Sequence, residues 1–325
     1  MKPVPPITQG GPHRKFLPAA WAWRLALTGI LLVFLVRIFG GARELTSALR
    51  SAQPGWVFAS LLLACSTLLA AAVRWQQALG AMGYALGFGR SLEVILATWP
   101  PILVTPGRAN EFLRAAAIRR QVPLSVGAAS VLVEKIVDLL TLLVAACAGA
   151  LLASMWMTAW GLLACMAAVL LALWVLRRSP EYLLQKRRLA RYASHLEALK
   201  AAFFCMQRSR WKLFGLFMNS LLIRILGVLV IAALIAAFGG TVHFAHMLAL
   251  WPLAVLVGLI PITVGGIGTR DAAFLYLLGL HHQKLSQAGL LAATMSYSLI
   301  TVCFFAAIGL PFMLRELRGV FVEPT

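Results

Sequence analysis

Charge is what this chain has least of. Asp and Glu together number 10 in 325 residues, and all charged residues make up 12%. Typical soluble domains carry about 25%, so a water-facing globular surface is excluded. Cysteine is scarce and scattered: Cys65, Cys147, Cys165, Cys205 and Cys303 form no CxxC pair and no disulfide framework, and four of the five lie inside apolar runs, where they serve as small core residues. Histidine offers no metal set. His243 and His246 share a helical face and His281 and His282 are adjacent, but no third ligand accompanies either pair, so neither a metal nor another cofactor is expected. No stretch matches a catalytic signature, which makes a non-enzymatic role the leading expectation.

What is present is apolar length. Hydrophobic residues make up 61% of the chain, and several runs reach the roughly 20 residues that cross a bilayer as helix. The expected spans are Leu17–Phe39, Trp56–Val73, Val126–Ala153, Met155–Leu176, Leu213–Phe238 and Ser286–Leu314. Arg74 and Trp75 are expected to cap the second span at the interface. Lys and Arg number 29, giving a formal charge of +19. In a soluble chain that excess would suggest nucleic acid; here the basic residues crowd the loops between spans and have no aromatic-interleaved stripe, so membrane lipid is the expected partner and nucleic acid is not. Residues 1–16 read as a disordered cytoplasmic tail and 319–325 as a second one. The segment 177–212, with ten Lys/Arg against Glu181 and Glu197, reads as a cytoplasmic amphipathic helix on anionic lipid. Both termini are then cytoplasmic.

Two apolar stretches do not fit simple spans. Ser91–Val104 is too short to cross comfortably, ends against Pro100-Pro101 and Pro106-Gly107, and is followed by four arginines between Arg108 and Arg120. Those arginines would lie outside if the run crossed, against the positive-inside rule. The stretch 244–280 holds Pro261, Gly265, Gly266 and Gly268 with Arg270 and Asp271 at what should be membrane depth. Two re-entrant helical hairpins, near 91–120 and 244–280, entering from opposite faces, resolve both conflicts. The fold expected is therefore an all-α polytopic membrane protein, a single domain over 17–318, with six spanning helices and the two hairpins in a weak inverted repeat. Broken helices so arranged are a transporter signature.

Three motifs carry a family resemblance: Thr105-Pro-Gly-Arg-Ala-Asn-Glu-Phe-Leu-Arg-Ala115, Val131-Leu-Val-Glu-Lys-Ile-Val-Asp-Leu139 and Leu259-Ile-Pro-Ile-Thr-Val-Gly-Gly-Ile-Gly-Thr-Arg-Asp-Ala-Ala-Phe274. In this order and spacing the chain, from about Arg24 to Arg318, resembles the flippase-like family of lysylphosphatidylglycerol synthase transmembrane regions. The resemblance implies a bacterial inner-membrane protein that moves phospholipids or polyprenyl-linked intermediates between leaflets. Lys135 stands where the family usually has Arg, and Asp271 where it usually has Glu. Members that make lysyl lipid carry a large soluble domain; this chain ends at Thr325 just past its last span, so aminoacyl transfer is not expected of it alone.

The candidate substrate-binding residues are Gly107, Arg108, Glu111, Arg114, Glu134, Lys135, Asp138, Arg224, Gly265, Gly266, Arg270 and Asp271. Glycines let backbone approach an anion, and arginine grips phosphate with two donors. Glu134 and Asp138 project from one helical face with Lys135 in reach of Asp138, either as a cavity-facing cluster or as a buried ion pair completed by Arg224 or an arginine of the broken segments. Trp99, Trp156, Trp160 and Trp251 read as interface or packing residues. The function expected is lipid translocation. A transferase using a lipid-linked donor, with Glu111 or Asp271 as its carboxylate, and an accessory subunit of a lipid-modifying partner enzyme are the alternatives. Homo-oligomerisation is compatible with all three.

Overall fold

The computed structural model describes residues 17–38, 41–103, 105–178, 210–279 and 286–321, and all regular structure among them is helical. In chain order the helices are α1 Leu17–Ile38, α2 Gly41–Arg50, α3 Pro54–Ala81, α4 Phe88–Ala97, α5 Leu113–Ala117, α6 Leu124–Leu152, α7 Trp156–Arg178, α8 Arg210–Ala237, α9 Phe244–Gly258, α10 Thr269–Gly279, α11 Gln287–Ser298 and α12 Phe305–Phe321. Between α4 and α5 the chain makes two 3-10 segments, Pro100–Leu103 and Pro106–Phe112, and a π segment, Leu299–Phe304, joins α11 to α12.

Five helices are long and apolar enough to cross a membrane: Pro54–Ala81, Leu124–Leu152, Trp156–Val175, Trp211–Ala237 and Gln287–Arg318. A sixth is counted if α1 and α2, bent by 85°, form one span. The chain is thus a multi-pass membrane protein. Start signals are local: Pro54 in the first turn of α3, where a missing N–H costs nothing, and Ser286, whose Oγ accepts the Gly289 N–H at 3.0 Å to cap α11.

Some expectations shift. Residues 41–50, read as a polar connection, form α2, because Gly41, Leu45 and Ala48 recur on one face and are half-buried while Arg43, Glu44 and Arg50 stay exposed. That face lies against α11. The span that was to end near Val73 continues to Ala81, so Arg74 and Trp75 are not interfacial: they are only 4% and 0% exposed. Trp75 packs with Leu79, Val94, Ile95 and Ile118 in a buried cluster. The last helix runs to Phe321, beyond the Leu314 limit read from the sequence. The tail 1–16 and nearly all of the basic segment 177–212 lie outside the described residues.

α3 lies along α8; α4 packs on α12, and α9 packs on α6. The α4–α12 and α6–α9 contacts each use a glycine at the crossing. A Cβ on Gly309 of α12 would fall 2.2 Å from the Leu96 carbonyl oxygen of α4, and one on Gly149 of α6 would fall 2.2 Å from the Ala249 nitrogen of α9. Backbones this close need a residue with no side chain.

Candidate functional site

Carboxylates on α6 gather cations from three directions. Glu134 is wholly buried, and its two oxygens accept from Arg74 Nε of α3 at 3.1 Å and Arg114 Nη1 of α5 at 3.0 Å. One turn on, Asp138 accepts from Arg74 and, at 3.0 Å, from Arg224 Nη2 of α8. Glu111 joins from the 3-10 segment, 2.5 Å from Lys135 Nζ and 3.4 Å from Arg114 Nη2. Lys135 stands 4.0 Å from Asp138, as the i, i+3 spacing requires. Among the described side chains, four cations (Arg74, Arg114, Lys135 and Arg224) face three carboxylates. Charges this deep persist only when paired.

A second cluster forms at the other break. Gly265, Gly266 and Gly268 have φ of 59°, 78° and 89°, left-handed values that a side chain disfavours. They turn the chain so that Arg270 and Asp271 open α10 at its buried end. Asp271, wholly buried, accepts the Gly268 N–H at 3.0 Å and Arg270 Nη2 at 3.0 Å. Ser298 of α11 accepts from Arg270 Nη2 at 2.5 Å and donates to Asp271 at 3.3 Å. The guanidinium also lies over the rings of Trp251 and Tyr297, 5.3 and 4.6 Å from their centres, a cation–π clamp that holds it in a fixed direction.

One cavity of about 140 Å³ lies between the clusters. The first broken segment contributes Asn110, Glu111 and Arg114 to its wall, and the second contributes Gly265, Gly266 and Arg270. Arg74, Asp138 and Arg224 line it from the spanning helices. Glu134, Lys135 and Asp271 are not among the residues lining it: Glu134 and Asp271 brace arginines that are, and Lys135 pairs with the lining carboxylates Glu111 and Asp138. Gly107 and Arg108 lie in the 3-10 segment Pro106–Phe112, and their side chains are outside those described.

The sequence reading therefore brought together residues that do meet, and it missed the part played by five that matter to the geometry. Arg74, read as an interfacial cap, ties Glu134 to Asp138; a cation opposite two buried carboxylates was the available signal. Asn110 sat unremarked inside the first motif. Trp251 is 2% exposed and packs against Phe274 and Tyr297, but it also lines the cavity. Trp156 and Trp160 are exposed, as interface residues would be. Tyr297 and Ser298 carried no local signal. Among the described residues no group of three or more His, Cys, Asp or Glu is placed to hold a metal ion.

A comparison with curated proteins matched none. A family model described as the lysylphosphatidylglycerol synthase TM region matches residues 21–309, taking in both broken segments, the α6 carboxylates and the cavity between them. The chain belongs to the family of lysylphosphatidylglycerol synthase transmembrane regions.

Proposed function

We propose that the chain is a lipid translocator, passing a phosphate-bearing lipid headgroup, or a polyprenyl-linked one, between the leaflets of the bacterial inner membrane while the tails stay in lipid. One observation carries this reading: one cavity is walled from both Pro/Gly-broken segments, and each presents a buried arginine, Arg114 or Arg270, to it. Breaking helices at membrane depth leaves backbone groups unpaired, a cost tolerated where they line a hydrated cavity. Arginine supplies the donors a phosphate needs. The family supports a lipid-related role in the membrane.

In this reading 91–120 and 244–280 are re-entrant hairpins of an inverted repeat. Three reciprocal contacts support it: α3 meets its counterpart α8, the helix of the first hairpin meets the last span, and the helix of the second meets α6. Glycines at both cross-half contacts fit the same symmetry. Two halves rocking about a shared midplane site would expose it alternately to each side. The basic run 177–212 and Arg315 and Arg318 near the end of α12 support a cytoplasmic side for both termini.

A transferase would need a carboxylate available to take a proton. Glu111, Glu134, Asp138 and Asp271 each sit in an ion pair with at least one cation, which favours translocation. The test is leaflet exchange of fluorescent phospholipids and polyprenyl phosphates in proteoliposomes. Exchange above the protein-free rate supports the reading; none, from folded protein, contradicts it.

A further inference from the structure

Two residues that line the cavity each carry a buried hydrogen-bonding atom that the protein leaves unmatched. Asn110 is 3% exposed, and its Nδ2 donates to the Thr98 carbonyl at 2.7 Å. That bond fixes which way the amide faces, so the other end is an oxygen, an acceptor. Asn110 Oδ1 is buried and has no partner. One turn along the same segment, Arg114 is 6% exposed; its Nη atoms reach Glu111 and Glu134, but Nε, a donor, is buried without a partner. Both residues line the cavity. Buried polar groups in folded proteins are almost always satisfied, and each exception asks for a missing partner.

We propose that the headgroup taken here carries a hydrogen-bond donor, a hydroxyl or an ammonium, on the ester arm beside its phosphate. The donor meets Asn110 Oδ1 and a phosphate oxygen meets Arg114 Nε. This rests on the phosphate-headgroup reading above and narrows it. A buried acceptor and a buried donor on the same segment match a phosphodiester with a polar arm, and they disfavour a dianionic monophosphate on a hydrocarbon chain or a quaternary ammonium, neither of which brings a donor to Asn110. Asn110 is then a specificity-determining residue, and the arginines supply the affinity common to all phosphates.

The test uses the full chain in detergent and short-chain lipids with matched tails, with binding read from thermal stabilisation, so that it does not depend on transport. Two pairs isolate the donor. Phosphatidylethanolamine and phosphatidylcholine differ by methylation of the amine; phosphatidylglycerol and phosphatidylmethanol differ by the hydroxyls. The wild type is expected to bind the donor-bearing member of at least one pair about tenfold more tightly, the scale of one buried acceptor left unmatched. The pair that discriminates identifies ammonium or hydroxyl. Asn110→Leu should bring that pair to within about twofold while still binding phosphatidylmethanol. If that variant does not fold, the wild-type comparison decides alone. Equal wild-type binding within both pairs would overturn the inference and leave the phosphate reading intact, since water would then be satisfying Asn110. Binding of none of the four lipids would overturn both.

Discussion

Arg74 Nε on α3 donates to Glu134 Oε1 on α6 at 3.1 Å, with 5% of the arginine side chain and none of the glutamate's exposed. The two are distant in sequence and share the burial of charge with Arg114, which also meets Glu134, and Asp138, which also meets Arg74. Removing one member strips a buried ion-pair partner from the charges it met, at a cost of up to about 3–5 kcal/mol. Arg74→Met should therefore lower the thermal unfolding midpoint of the detergent-solubilised protein sharply. Arg74→Met combined with Glu134→Gln should cost less than the sum of the two single changes. Additive losses would show that the pair does not act as a unit.

Where helices touch through glycine, the consequence is steric. Gly149→Ala and Gly309→Ala each place a methyl 2.2 Å from the backbone of another helix. Each should destabilise by about 1–3 kcal/mol or more, measured as folded yield and unfolding midpoint. Gly161→Ala, in α7 with nothing within 4 Å of the added carbon, should be neutral or gain up to about 1 kcal/mol.

The ring of Tyr297 lies 4.6 Å from the Arg270 guanidinium. Its face is what matters, so Tyr297→Phe should leave stability and lipid exchange near wild type. Tyr297→Leu keeps an apolar contact but removes the π face, and should cost about 0.5–2 kcal/mol. Equal effects from both changes would point to the hydroxyl.

Much of this was legible in the sequence because bilayers impose strong rules. Five of the expected spans correspond to long apolar helices, and the breaks after Ala97 and Gly258 hold the prolines and left-handed glycines that the sequence marks. The α6 cluster was legible as well, since Glu134, Lys135 and Asp138 had to find partners. What failed was inference from local charge. Arg74 near the end of an apolar run looked interfacial, but α3 continues and carries it inward to the carboxylates. Residues 41–50 looked like a loop by polarity, although their apolar spacing was helical. Of the two roles read for Glu134, a cavity-facing group or a buried ion pair, the geometry shows the ion pairs. Tyr297 and Ser298 belong to the site only through tertiary packing, which no local pattern encodes.

The central claim is that buried arginines from both broken segments serve one translocation cavity, and Arg270→Lys tests it most directly. Lysine keeps the charge that neutralises Asp271, but it cannot bond Asp271 and Ser298 in one plane while lying flat over Trp251 and Tyr297. Leaflet exchange of a labelled phospholipid would be compared in proteoliposomes holding equal amounts of folded wild type and variant. The account predicts exchange above the protein-free rate for the wild type and a loss of about tenfold or more for Arg270→Lys, with similar thermal stability. Wild-type exchange that Arg270→Lys leaves unchanged, or no exchange by folded wild type, would contradict it.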